Sequence, residues 1–156
     1  MTTPIGGLRF NHLEITIPPG SLQVMGEEFA SFYCGTLGFG MTVLPEFGAG
    51  HLFLTTDAEG SQFIYVKEDP NWAIIRSEDH LGFHVNDRAA VDRLLALCRA
   101  REARDQRMQI RELEDLELER TSTHAFYFRY LLPIWFDVQV IEFRAGFEPA
   151  RRWTLA

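Results

Sequence analysis

The sequence predicts an α+β fold of two paired βαβββ modules, whose mixed sheets form a cupped, barrel-like surface with helices outside. Three observations lead there. A short phrase occurs twice: Asn11-His12-Leu13-Glu14-Ile15-Thr16-Ile17 returns as Asp79-His80-Leu81-Gly82-Phe83-His84-Val85. A second echo follows each copy, since Gln62-Phe63-Ile64-Tyr65-Val66 resembles Gln139-Val140-Ile141-Glu142-Phe143. Between the echoes, both halves read strand, helix, then three strands. One such half exposes a face of a small sheet and is poorly stable alone, so the two are expected to pair.

The elements follow in order. Residues 8–17 alternate as a strand and end at Pro18-Pro19-Gly20. Ser21 is the expected cap of a helix carrying Phe29, Phe32 and Tyr33 at helical spacing, closed by Gly35, Gly38 and Gly40. Strands are expected near 41–46, 50–56 and 61–67, separated by Gly48-Ala49-Gly50 and Asp57-Ala58-Glu59-Gly60. A connector, 68–78, contains Pro70 and Trp72. The second module opens with strand 79–85. Asn86 or Asp87 caps a helix reaching about residue 103, with Val91, Leu94, Leu95 and Cys98 on its buried face. Strands near 107–119, 122–132 and 135–144 complete it, the last two meeting at a tight turn around Pro133. The whole reads as one domain over 1–156, with module 1 about 8–67, module 2 about 79–144, and a tail 145–156 holding Arg151, Arg152 and Trp153.

Composition narrows the function classes. The 156 residues are 46% hydrophobic and 13% aromatic, enough for a packed core and against disorder. A net charge of −7 disfavours a nucleic-acid partner. No apolar run approaches a membrane span, and the first residues lack the basic and apolar regions of a signal peptide, so a cytoplasmic protein is expected. Cys34 and Cys98 read as buried thiols rather than a disulfide. The acidic stretch 112–119 reads as a solvated strand and loop.

In a strand, side chains alternate between faces. Leu13, Ile15 and Ile17 then share one face, and His12, Glu14 and Thr16 the other. His80, Gly82 and His84 likewise lie opposite Leu81, Phe83 and Val85. Each histidine opens a strand on its polar face, and histidine is the commonest metal-ligand side chain. Where the first echo has Tyr65, the second has Glu142, a carboxylate in an apolar strand that needs a metal or an arginine partner. The candidate ligands are therefore His12, His80 and Glu142. Two histidines and one carboxylate with open positions suit Fe(II) and oxygen chemistry.

At these residues the chain resembles the vicinal oxygen chelate superfamily, which includes glyoxalase I, extradiol dioxygenases, fosfomycin-resistance transferases, methylmalonyl-CoA epimerase and bleomycin-binding proteins. The resemblance covers nearly the whole chain. It rests on the paired βαβββ pattern, His12 in Asn-His-Leu, His80 in Asp-His-Leu-Gly-Phe and Glu142 in Val-Ile-Glu-Phe. It implies one divalent metal, Fe(II) first, with Mn(II), Zn(II) or Ni(II) as alternatives. The order His124, Tyr130, Pro133, Glu142 is similar to the C-terminal signature of the extradiol dioxygenases, and implies ring cleavage of a catechol-like aromatic with His124 and Tyr130 as catalytic residues. The position of that family's acid–base histidine falls near Ser61 or Gln62, which leaves His51 or His84 for the role. His84, Tyr65, Phe126 and Phe128 are the expected substrate-binding residues. The alternatives are glyoxalase, epimerase or thiol-transferase chemistry on the same scaffold, and a metal-free protein that sequesters an aromatic antibiotic. The expected partner is a small aromatic or vicinal-oxygen substrate, with no nucleic acid and no membrane. The resemblance also implies a homodimer, with a site from one chain favoured over a shared one.

Overall fold

Alternation in Leu13, Ile15 and Ile17, and the helical spacing of Phe29, Phe32 and Tyr33, build the first of two compact units. These are residues 1–73 and 74–156 in a computed structural model that describes residues 10–76 and 78–149. The boundary falls within the expected connector. The start of the first predicted strand, residues 8 and 9, and the tail residues Arg151, Arg152 and Trp153 lie outside the described residues.

The first unit contains β1 (His12–Ile17), α1 (Ser21–Phe29), β2 (Gly40–Thr42), β3 (His51–Thr55) and β4 (Phe63–Glu68). Its sheet runs β1-β4-β3-β2, with β1 and β4 parallel and the other pairs antiparallel. Ile15, Ile17, Leu52, Leu54, Ile64 and Val66 are buried on one face. Phe29, Phe32 and Tyr33 are buried as well, from α1 and the π-type turn Ala30–Cys34 that extends it. Gly35 ends that turn because a Cβ there would stand 2.7 Å from the Ser31 carbonyl oxygen. Ser21 is not the cap of α1. Gly20 occupies the N-cap with φ of 81°, and Glu68 reaches over from β4 to accept from the Gly20 and Leu22 amides at 2.9 and 2.7 Å. The expected strand 41–46 is short, with a 3₁₀ turn at Pro45–Phe47 in place of its second half.

The second unit contains β5 (His80–His84), α2 (Arg88–Glu102), β6 (Gln109–Glu112), β7 (Leu116–Glu117), β8 (Thr121–Arg129) and β9 (Trp135–Phe143). Its sheet runs β5-β9-β8-β6, with β7 paired to β8. Asp87 caps α2, accepting from the Ala90 amide at 2.7 Å. Val91 and Cys98 of α2 are buried, as are Phe126, Phe128, Phe136, Val138 and Val140 of the sheet. The predicted strand 107–119 divides into β6 and β7. The turn between β8 and β9 holds Leu131 at φ 60°, and the Leu132 amide donates to the Tyr130 carbonyl at 2.7 Å.

In each unit the first and last strands of the sequence, β1 and β4 or β5 and β9, are neighbours and run parallel. One sheet face is covered by the helix. The other carries the residues that alternate with the core, and it is called here the open face.

Candidate functional site

The register of each parallel pair identifies what stands beside each histidine. In the first unit His12 is opposite Phe63 and Glu14 opposite Tyr65. In the second, His80 is opposite Trp135 and Gly82 opposite Asp137. The structural counterpart of Tyr65 is therefore Asp137, not Glu142. The Gln62 and Gln139 echoes are offset from this correspondence, because Phe63 matches Trp135 and so Gln62 matches Ile134.

His80 and Glu142 are not brought together. Trp135, opposite His80, is the first residue of β9, and Glu142 is its last but one. Alternation also puts them on opposite faces. Glu142 lies on the helix side, where Arg88 of α2 donates to it at 2.7 Å and to Asp115 at 2.6 Å. The arginine partner that an acid in this strand required is thus Arg88.

Asp137 is buried, with 5% of its surface exposed. Its Oδ1 has no hydrogen-bond partner, and its Oδ2 accepts from the Gln139 amide nitrogen at 3.1 Å. Burial pushes its carboxyl above the usual range, against the opposing pull of His80 and of the Tyr127 hydroxyl. Tyr127 is its register partner on β8, and burial together with the Asp137 charge pushes that phenol upward. His80 Nε2 is 3.9 Å from Asp137 Oδ2, and the His80 and Tyr127 rings are 5.0 Å apart.

The tautomer of each histidine is set locally. His80 Nδ1 lies 2.9 Å from the Glu78 carbonyl oxygen, which only accepts, so Nδ1 donates. His12 Nδ1 lies 2.8 Å from Asn11 Oδ1, and the Asn11 amide nitrogen donates to the Ser61 carbonyl at 2.7 Å, which orients that side chain. With Nδ1 donating, Nε2 is the nitrogen of each ring left to ligate, the arrangement seen when one imidazole nitrogen binds a metal and the other is held by an outer hydrogen bond. Among the described residues no group of three or more His, Cys, Asp or Glu side chains is close enough to hold a metal ion.

The residues expected to be catalytic lie on the other side of the second sheet. His124 shares the helix-side face with Phe126 and Phe128. Its Nε2 meets Asp92 of α2 at 3.0 Å and its Nδ1 meets Asp115 at 2.7 Å. These two carboxylates, Asp92 first, hold the imidazolium above its ordinary range. Tyr130 is fully buried and donates to Asp105 at 2.8 Å. Phe126 and Phe128 are 1% exposed and pack in the core, Phe128 stacking on Phe136 at 5.0 Å. Their burial beneath α2 makes them core, not ligand wall. His84 lies exposed on the open face of β5, on the side of His80.

The open face of the first unit is aromatic. His12 stacks on Phe63 at 4.9 Å, and Tyr65 stacks on Phe53 at 4.6 Å. The Tyr65 hydroxyl is hydrogen-bonded to His51 Nδ1, and Phe47 packs on both rings.

No family model and no curated protein matches the sequence. Solved structures do. A glyoxalase family protein from Bacillus anthracis is 19% identical, with a TM-score of 0.60 over 91% of this chain and 100% of that one. A glyoxalase/bleomycin resistance protein/dioxygenase from Nocardioides is 11% identical, with a TM-score of 0.58 over 96% and 92%. The fosfomycin resistance protein FosX from Listeria monocytogenes is 13% identical, with a TM-score of 0.56 over 86% and 90%. The chain shares its fold with these structures. A fold alone assigns no chemistry to this chain. No helix among the described residues is long and apolar enough to cross a membrane.

Proposed function

We propose that this protein is a divalent-metal-dependent enzyme that acts on a small molecule with two adjacent oxygen atoms, and that His80 and Asp137 supply protein ligands. The observation that carries the reading is the approach of His80 Nε2 to Asp137 Oδ2 at 3.9 Å, a gap too long for a hydrogen bond. A divalent cation held between the His80 imidazole and the Asp137 carboxylate would satisfy both groups. The orphaned Oδ1 of the same buried carboxylate supports this, since burying such a group unpaired costs several kcal/mol. The imidazole and carboxylate donor set suits Fe(II), Mn(II), Zn(II) or Ni(II). A metal bound there acts as Lewis acid and template for vicinal oxygens.

The chain's own residues do the rest. Glu78 holds the His80 ring by its Nδ1 proton. Gln139 steadies Asp137 through Oδ2. Tyr127, with its phenol pushed upward, keeps its proton at neutral pH and donates it toward the carboxylate or a substrate oxygen. Gly82, opposite Asp137, puts no side chain over that site.

Extradiol cleavage of a catechol-like aromatic is one reaction of this class. The helix-side positions of His124 and Tyr130 remove the residues that singled it out, so we assign the substrate class and not the cleavage. The test is metal content after anaerobic reconstitution with Fe(II), Mn(II), Zn(II) or Ni(II). Wild type is expected to retain close to one equivalent, and His80→Ala and Asp137→Asn to lose it. Oxygen uptake with a catechol panel then reads the dioxygenase arm. Absence of any retained metal in wild type, or full retention in Asp137→Asn, overturns the reading.

A further inference from the structure

We propose that the open face of the first unit holds a binding site for a small soluble quaternary-ammonium cation, between the Tyr65 ring and the Glu14 carboxylate. The site lies wholly within the first unit and uses neither His80 nor Asp137. It therefore goes beyond the metal reading and does not rest on it.

The register sets the neighbours. Glu14 of β1 stands opposite Tyr65 of β4, and Tyr65 stands opposite Phe53 of β3. Phe53 stacks on Tyr65 at 4.6 Å, with the ring planes 16° apart. The other rings against Tyr65, His51 at 5.6 Å and Phe47 at 6.2 Å, come from β3 and the turn before it. Among the described residues no ring of β1 packs on Tyr65. The ring face turned away from Phe53 therefore looks toward β1, where Glu14 stands. The Tyr65 hydroxyl is engaged by His51 Nδ1, so what Tyr65 offers on that side is ring face. Neighbouring positions on β1 close the two ends of this niche. On one side His12 stacks on Phe63 at 4.9 Å, and on the other Thr16 accepts from the Ala73 amide at 2.7 Å.

Charge complementarity selects the ligand. Glu14 is exposed, and among the described residues it has no hydrogen bond or ion pair. The other charged side chain at an open-face position of these strands, Lys67, meets Asp69 at 3.7 Å. An aromatic face carries the negative side of the ring quadrupole and attracts a cation, and a carboxylate beside it pulls in the same direction. A net charge of −7 adds a general attraction for cations. The donor count then separates the kinds of cation. A primary ammonium brings three N–H groups that each need an acceptor, and the niche presents one carboxylate. A metal ion needs several oxygen or nitrogen donors. A quaternary ammonium has no N–H to satisfy and lays methyl groups on the ring, so one ring face and one carboxylate meet its needs.

The test is titration of the whole chain with choline chloride, read by calorimetry and by the ring-proton resonances of Tyr65. The comparison ligands are the neutral carbon isostere of choline, with a tert-butyl group in place of trimethylammonium, and ethanolamine as the primary-ammonium counterpart. Potassium chloride controls for ionic strength. Choline is expected to bind about tenfold more tightly than the neutral isostere and about threefold more tightly than ethanolamine. Glu14→Gln, a change at an exposed position, should lose about threefold of the choline affinity and none of the affinity for the neutral isostere. Tyr65→Phe assigns the Tyr65 resonances and, because it keeps the ring face, should bind choline as wild type does. Tyr65→Leu should lose about tenfold. Should Tyr65→Leu unfold, the Tyr65 resonances of the wild type decide, moving with choline and not with potassium chloride. Equal affinity for choline and the neutral isostere, equal affinity for choline and ethanolamine, an unchanged Glu14→Gln, or unmoved Tyr65 resonances overturns the site. The metal reading is decided by metal content and involves neither Glu14 nor Tyr65, so the two failures are distinct.

Discussion

Asp137 stands opposite Gly82 in the β5–β9 register, so the buried carboxylate faces a strand position with no side chain. A Cβ at Gly82 would meet only the Gln139 amide nitrogen at 3.4 Å, the far end of a flexible chain. Gly82→Ala is therefore expected to fold and to keep metal. Gly82→Leu is expected to fold but to lose metal at least tenfold, by covering Asp137. Equal metal content in the two variants would separate this face from metal binding.

Glu142→Gln should behave as a surface change. Its carboxylate is 46% exposed and paired with Arg88, itself 37% exposed. Such pairs contribute about 0–1 kcal/mol. The expected outcome is a small drop in melting temperature with metal content unchanged. Loss of metal in this variant would return Glu142 to the ligand set.

The fold was legible in the sequence because burial imposes a period. Ile15, Ile17, Ile64 and Val66 alternate with polar neighbours, and Val91 and Cys98 recur at helical spacing, so strands and helices could be read from position alone. The carboxylate was not legible in the same way. Gln-x-Ile fits both Gln62 and Gln139, and apolar alternation continues past Ile134 into β9 without marking where pairing begins. Register depends on the turn at Leu131 and Leu132, whose positive φ has no sequence signature in a leucine. The available signal was alternation within β9 itself: Trp135, Asp137 and Gln139 interleave with Phe136, Val138 and Val140. That places an acid on the polar face, early in the strand, where a partner for His80 belongs. The aromatic run from His124 to Tyr130 gave a misleading resemblance for the same reason, since it did not say which face met α2.

The helix-side network predicts a pH dependence of stability. His124 is held between Asp92 and Asp115, which raise its folded pKa above the ordinary imidazole value. A raised value stabilises the fold fully below the unfolded value, and that contribution is lost as pH rises through the folded value. The charges in contact with it are Asp92 from α2 and Asp115 from the loop before β7, and Arg88 of α2 and Glu142 of β9 extend the same network through Asp115. Melting temperature should therefore fall from pH 6 toward pH 9 in wild type, and less steeply in His124→Gln. Parallel curves for the two proteins would dismiss the clamp.

Cys98 should resist alkylation. Burial, assisted by the nearby Glu102 charge, pushes its thiol up to about 12, so almost no thiolate exists near neutral pH. Iodoacetamide at pH 8 is expected to leave Cys98 unmodified in the folded protein and to modify it in denaturant, as read by peptide mass. Rapid labelling without denaturant would mean that the α2 face opens readily.

The two tyrosines of β8 and its following turn should part company. Tyr130→Phe removes the hydrogen bond to Asp105, a partner that Arg107 also holds, and is expected to cost about 1 kcal/mol of stability by denaturant melt. Its metal content and turnover should not change, because its hydroxyl belongs to the packing around α2. Tyr127→Phe removes the proton donor beside Asp137 on the open face. It should leave metal content near one equivalent and lower kcat on a vicinal-oxygen substrate by about 10²-fold, the scale of a lost general acid, with little change in melting temperature. The reverse pattern, with Tyr130→Phe impairing turnover and Tyr127→Phe neutral, would move the chemistry to the helix side of the sheet.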